Sequence, residues 1–136
     1  MSKADVEVVQ EFEDAFVRGD MEHVLSLLAP DIVVHEAPSV PYPGDHRGHE
    51  GFLRLADAFN SVWEIVSELE LTFLDGGDGQ VAAVVAYDAV ARATGVRLRQ
   101  RMVEVYTVRD GRITDLDVYY RDTAAIVEAT GGARVL

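Results

Sequence analysis

Apolar residues recur at helical spacing near the start of the chain and at alternate positions towards its end. Val8, Val9, Phe12, Ala15 and Phe16 form a stripe along one helical face. Ser2-Lys3-Ala4-Asp5 reads as a capping box that opens this helix, and Gly19 stops it. Asp20 caps a short second helix carrying Val24, Leu25, Leu27 and Leu28, which Pro30 ends. Asp31 to Glu36 is short and β-branched, hence a strand. Pro38, Pro41, Pro43, Gly44 and Gly48 make residues 37–48 a rigid, irregular loop. A third helix follows over roughly residues 48–66, with Phe52, Leu55, Ala56, Phe59, Val62, Trp63 and Val66 on one face.

The second half reads as strands. They run over Ser67–Leu74, from Val81 to about Arg92, along Val96–Val108, and over Arg112–Tyr120. Gly76-Gly77-Asp78-Gly79, Ala93-Thr94-Gly95 and Asp110-Gly111 turn the chain between them. Asp122 caps a short terminal helix, and Gly131-Gly132 begins a flexible tail. The order is α+β: a curved, mostly antiparallel sheet whose concave face is covered by helices. Sorting each strand by its charges places Val81, Ala83, Val85, Tyr87 and Ala89 inside, along with Leu116, Val118 and Tyr120.

One residue breaks this sorting. In Val96–Val108, Arg97, Arg99, Arg101 and Thr107 share one face, and Leu98, Met102, Glu104, Tyr106 and Val108 share the other. If the arginines face water, Glu104 points inward. A carboxylate there is costly unless protonated, paired or used; a strand-end salt bridge or a twisted register is the plainer explanation.

Composition narrows the function. A chain of 136 residues makes one domain, residues 1–136, with 130–136 as the tail. Its net charge of −12, from 24 acidic and 12 basic residues, argues against nucleic acid or anionic membrane as a partner. Without cysteine there is no thiol catalysis, disulfide or thiolate metal site. No secretory pattern and no run of 18 apolar residues occurs, so the expected location is cytoplasmic.

Pro41-Tyr42-Pro43-Gly44-Asp45-His46-Arg47-Gly48-His49-Glu50-Gly51-Phe52 resembles the Pro-Tyr-x-Gly-x-x-x-Gly loop of SnoaL-like proteins. These belong to the nuclear-transport-factor-2-like superfamily, which includes ketosteroid isomerases. Asp110-Gly111-Arg112-Ile113 with Tyr119-Tyr120-Arg121-Asp122-Thr123-Ala124 resembles the closing hairpin of that superfamily. The resemblance implies a cone-shaped sheet wrapped around three N-terminal helices. Val34-His35-Glu36-Ala37-Pro38 is similar to the isomerase strand end that carries the general base, and Val103-Glu104-Val105 to the strand carrying a neutral acid for the oxyanion. Such chemistry needs one carboxylate ionised to take a proton and another kept neutral. The oxyanion tyrosine of the family falls on Phe12, which argues against a true steroid isomerase.

The resulting expectation is a cofactor-free isomerase or cyclase that moves protons on an apolar carbonyl or polyketide-like compound. Glu36 is the base, expected to stay ionised near neutral pH; Glu104 is the acid, and Tyr87 and Tyr120 are secondary donors. Phe12, Phe16, Tyr42, Phe59, Trp63, Met102 and Val118 shape the pocket. A ligand-binding module without chemistry is the alternative, and an epoxide-opening hydrolase or cyclase the third reading. The latter type uses an Asp-Arg-Asp group, whereas the strand arginines here face outward. No metal is expected: His23, His35, His46 and His49 lack a ligand pattern, and those near the loop read as solvated. Val84, Val90, Val103 and Val105 among charges of both signs suit an isologous homodimer contact through the outer face of the sheet.

Overall fold

The computed structural model describes Ser2–Leu136, with side chains described from Ala4 onward, so the capping box expected at Ser2 lies outside the described side chains. Helix α1 spans Ser2–Arg18 and buries Val9, Phe12 and Ala15. Gly19, at φ 75°, takes the left-handed conformation that turns the chain out of α1. Asp20 then caps α2, Met21–Ser26, by accepting from the His23 N–H at 3.2 Å. Strand β1 covers Leu28–Glu36, β2 Gly44–Arg47, α3 Gly48–Val62, β3 Trp63–Ile65 and β4 Glu70–Gly77. Strands β5, Gln80–Ala91, β6, Arg97–Arg109, and β7, Arg112–Tyr120, follow before α4, Thr123–Thr130, which Asp122 caps.

The strands form one curled sheet in the order β2-β1-β7-β6-β5-β3, with β4 also paired to β5. All pairings are antiparallel except β1 with β7. Asp110 and Gly111, at φ 52° and 75°, make the tight turn between β6 and β7 as their order predicts. Helices α1, α2 and α3 lie against the sheet, and the core fills the space between. The α+β architecture is the one read from the sequence.

Four boundaries differ, each for a local reason. Helix α2 ends at Ser26, and Pro30 sits inside β1 rather than terminating a helix. It is accommodated where the β1–β7 register shifts between Leu28 and Val33, so no ladder bond is asked of it. The loop at 37–48 contains β2, which pairs with the end of β1. Helix α3 stops at Val62 because Trp63–Ile65 finds backbone partners at Ala89–Ala91 on the edge of β5. Strand β4 begins at Glu70, leaving Ser67–Leu69 as an irregular stretch at the rim of the sheet.

His35 fastens three strands on the outer face. Its Nδ1 lies 2.7 Å from Asp45 Oδ1 on β2, and its Nε2 lies 2.9 Å from Asp115 Oδ1 on β7. Carboxylates only accept, so both ring nitrogens must donate, and the imidazolium is the form that satisfies both. These bonds, to Asp45 first and then Asp115, raise the His35 pKa above its ordinary value. A raised folded pKa gives stability that is complete below the unfolded value of about 6.5 and is lost as pH rises through the folded value. We expect His35→Asn to lower Tm by about 1–4 °C near pH 5.5, with the difference gone near pH 9. A constant difference across that range in thermal unfolding would remove the titration from the account. The arginines behave similarly: Arg97 pairs with Asp88, and Arg99 with Asp88 and Glu70. Asp115, on the same outer face, is held by His35.

Candidate functional site

A cavity of about 1080 Å³ opens between the concave face of the sheet and helices α1 and α3. Its walls are mostly apolar: Phe12 and Phe16 from α1, Phe52 and Phe59 from α3, Val85 from β5, Met102 from β6, and Leu116 and Val118 from β7. Phe12 meets Phe52 edge-on at 5.9 Å and Tyr106 at 5.7 Å between ring centroids, so the inner wall is a packed aromatic surface. Among the described residues the lining holds no lysine, arginine or histidine, while Glu13, Glu36 and Glu104 all open onto it. An Asp-Arg-Asp group of the epoxide-opening kind therefore has no counterpart in this cavity.

Alternation along β6 holds as read. Arg97, Arg99 and Arg101 are exposed, Met102, Tyr106 and Val108 are buried, and Glu104 faces the cavity. Its register neighbours are Ala83 on β5 and Val118 on β7, and the small alanine leaves the carboxyl room. Glu36 ends β1 and reaches the same cavity, where the Tyr120 hydroxyl donates to its Oε1 at 2.6 Å. The protonation expected of Glu36 is overturned. Burial pushes its pKa up to about 8; the Tyr120 bond opposes this, and the charge of Glu104 adds to it. The side chain lines the mostly apolar cavity, where water is scarce, and that enclosure is what raises its pKa.

The sequence reading missed Glu13. It is 6% exposed on α1, and the Tyr106 hydroxyl lies 3.1 Å from its Oε2 and 3.0 Å from Glu104 Oε1. A hydroxyl carries one hydrogen, so only one carboxyl can accept it; the other must itself be protonated and donate to the tyrosine oxygen. Glu13 takes that role. Burial first, and then the Glu104 charge, hold its pKa well above the carboxyl range. The signal was present: Val9, Glu13 and Phe16 stand at i, i+4 and i+7, which puts an acid within the buried stripe.

Two pocket assignments are corrected. Tyr42 and Trp63 are 0% and 1% exposed and stand behind the cavity wall, where the Trp63 indole N–H donates to the Tyr42 hydroxyl at 3.0 Å. Trp63 was placed on the cavity by a helical periodicity that ends one residue before it; in β3 its side chain points into the core instead. His46 and His49 are not simply solvated either, since each ring Nε2 lies within 3.0 Å of a backbone carbonyl, of Tyr42 and Leu28 respectively. Among the described residues no group of His, Cys, Asp and Glu side chains is arranged to hold a metal ion, and no helix is long and apolar enough to cross a membrane.

A curled sheet closed by helices over an apolar, carboxyl-bearing cavity defines the class of small-molecule cavity folds in the nuclear-transport-factor-2-like superfamily. Within it, the chain belongs to the SnoaL-like domain family, whose model matches residues 9–116. An uncharacterized protein of Mycobacterium tuberculosis is 32% identical over 123 residues, covering 90% of this chain and 92% of that one. A nuclear-transport-factor-2-like protein of Burkholderia xenovorans superposes with a TM-score of 0.87 at 28% identity, covering 96% of this chain and 98% of that one. A protein of Xanthomonas campestris described as a candidate polyketide cyclase superposes with a TM-score of 0.76 at 22% identity, covering 94% and 97%, which is a likeness of fold.

Proposed function

We propose that this protein is a cofactor-free isomerase or cyclase that moves a proton on an apolar carbonyl compound; polyketide cyclase is the activity named for its Xanthomonas structural neighbour. The carrying observation is that Glu36 and Glu104, from different strands, open onto one apolar cavity. Glu36 removes a proton beside the carbonyl; as charge develops on the carbonyl oxygen, the Glu13 proton passes to the Tyr106 oxygen and the Tyr106 hydrogen to Glu104, which then donates to that oxygen while Glu13 is left ionised. Tyr120 holds Glu36 in place. The test is hydrogen–deuterium exchange into an enolisable apolar ketone, 2-tetralone, followed by NMR in deuterated buffer. Exchange above the buffer rate is expected. A ketone that binds without exchanging would remove the catalytic reading.

One observation favours the non-catalytic binder. With a pKa of about 8, only about a tenth of Glu36 is ionised at pH 7. The two readings part with pH: a base-catalysed exchange rises as pH approaches 8, and a binder shows none at any pH.

We also propose a homodimer through the outer face of the sheet, in the cytoplasm. Val103 and Tyr119 are register neighbours there, Tyr119 is 57% exposed, and Arg97 and Asp88 supply charges of both signs. Sedimentation at micromolar concentration should find a dimer that Tyr119→Glu converts to monomer; a monomeric parent would end this proposal.

A further inference from the structure

The cavity tyrosines are not equivalent. Tyr120 donates to Glu36 at 2.6 Å, and Tyr106 lies between Glu13 and Glu104 at 3.1 and 3.0 Å. Tyr42 accepts from Trp63 behind the wall. Tyr87 differs from all of these. It is 3% exposed as a whole residue and lines the cavity, and its hydroxyl has no hydrogen-bond partner among the described residues; unlike the enclosed Gln100 Nε2, that hydroxyl opens onto the cavity. A hydroxyl open to a cavity is satisfied by water until a ligand that brings an acceptor oxygen displaces it. The other polar side chains of the lining that can donate are Gln10 and Asn60, which are exposed, and Ser67, whose hydroxyl already donates to the Glu68 carbonyl at 3.0 Å.

We propose that Tyr87 anchors the ligand, donating its hydrogen to an uncharged acceptor oxygen such as a ketone or ester carbonyl, and that the cavity rejects anionic relatives of the same molecule. This rests on the cavity being the ligand site, as the proposed function holds, and it adds which group on the ligand is recognised. The surroundings set the charge preference. Burial, followed by Tyr42 and the carboxyls of Glu104, Glu36 and Glu13, keeps the Tyr87 hydroxyl protonated. It is therefore a neutral donor among acidic neighbours. A bound carboxylate would be desolvated beside Glu104, which accepts from Tyr106, with no cation among the described lining residues to meet it. A neutral carbonyl, in contrast, gives Tyr87 its missing acceptor and lies between the two proton-transfer groups. Phe12 stands where the resemblance places a donor tyrosine; Tyr87, on the opposite wall, supplies the only uncommitted tyrosine hydroxyl in the described lining.

Three probes of one shape separate the terms: 2-acetylnaphthalene, 2-ethylnaphthalene and 2-naphthoate, titrated by calorimetry into the parent and Tyr87→Phe at pH 7. In the parent, the ketone should bind about tenfold more tightly than the hydrocarbon, the scale of one good hydrogen bond. The carboxylate should bind at least about a hundredfold more weakly than the ketone. Tyr87→Phe should erase the ketone's advantage while keeping the hydrocarbon's affinity, which also reports an intact cavity. Infrared spectra of the bound ketone give a readout on the parent alone: its carbonyl band should lie below its position in cyclohexane and return in Tyr87→Phe. An unshifted band in the parent, a ketone advantage that survives in Tyr87→Phe, naphthoate binding equal to the ketone, or no ketone binding at millimolar concentration would each overturn the proposal. A Tyr87-dependent band without deuterium exchange keeps Tyr87 as the anchor and removes only the catalytic reading.

Discussion

Glu36→Gln should slow deuterium exchange into 2-tetralone by about 10²–10⁴-fold, the usual contribution of a positioned general base. Glutamine keeps the oxygen that accepts from Tyr120, so the cavity is retained and ketone affinity should stay within about threefold. In the parent, the rate should climb with pH and level off above about 8, because only the ionised carboxyl takes a proton. The same shift makes a second, independent mark on stability. The folded pKa of about 8 lies above the ordinary 4.5, so the native state binds the extra proton between those values. The contribution is complete below about pH 4.5 and is lost as pH rises to about 8, with an upper bound of about 5 kcal/mol. Glu36→Gln removes that slope, so the variant should be less sensitive to alkali than the parent in denaturant unfolding. A flat exchange profile in the parent, together with equal stability slopes, would show that Glu36 titrates elsewhere and is not the base.

The second large effect is expected at Glu104. Glu104→Gln should lower exchange by about 10²–10³-fold, the loss seen when one group facing a developing oxyanion is changed. The amide oxygen still accepts from Tyr106, so the Glu13–Tyr106 contact persists and the fold is kept. Glu13→Gln makes an informative partner, since its amide retains hydrogens but cannot pass on a proton. If Glu13 holds the proton that Glu104 uses, Glu13→Gln and the double variant should be slowed similarly to Glu104→Gln, because groups acting as a unit are not additive. Multiplicative losses in the double variant would separate the two carboxyls, and a Glu104→Gln protein exchanging like the parent would remove Glu104 from the mechanism.

Much of this site was legible because strands alternate strictly. Once the arginines of β6 were assigned to water, Glu104 could only face inward, and the inward set on β5 and β7 followed by the same parity. Glu36 needed more than parity: its place came from resemblance at a strand end, where the β1–β7 register decides where the side chain points. Glu13 was obscured by reading a helical stripe as its apolar members alone, although its spacing from Val9 and Phe16 places it on the buried face. Trp63 failed for the opposite reason. Helical spacing continues past Val62 on paper, but the free edge of β5 captures the chain there as β3. Protonation was not legible at all, because desolvation depends on how deeply the cavity encloses a group, and the sequence does not carry that depth.

The parallel pairing of β1 with β7 sets when this cavity can exist. Val33, Val34 and His35 lie beside Asp115, Leu116 and Asp117, strands separated by most of the chain, whereas β5, β6 and β7 close on each other through short turns. The local meander carries Tyr87, Glu104 and Tyr120 and can form early, since its loops are short to close. Glu36 joins them only when β1 docks alongside β7. We expect the base to join its partners late in folding, and variants that loosen β1 to disperse the site before they unravel the meander.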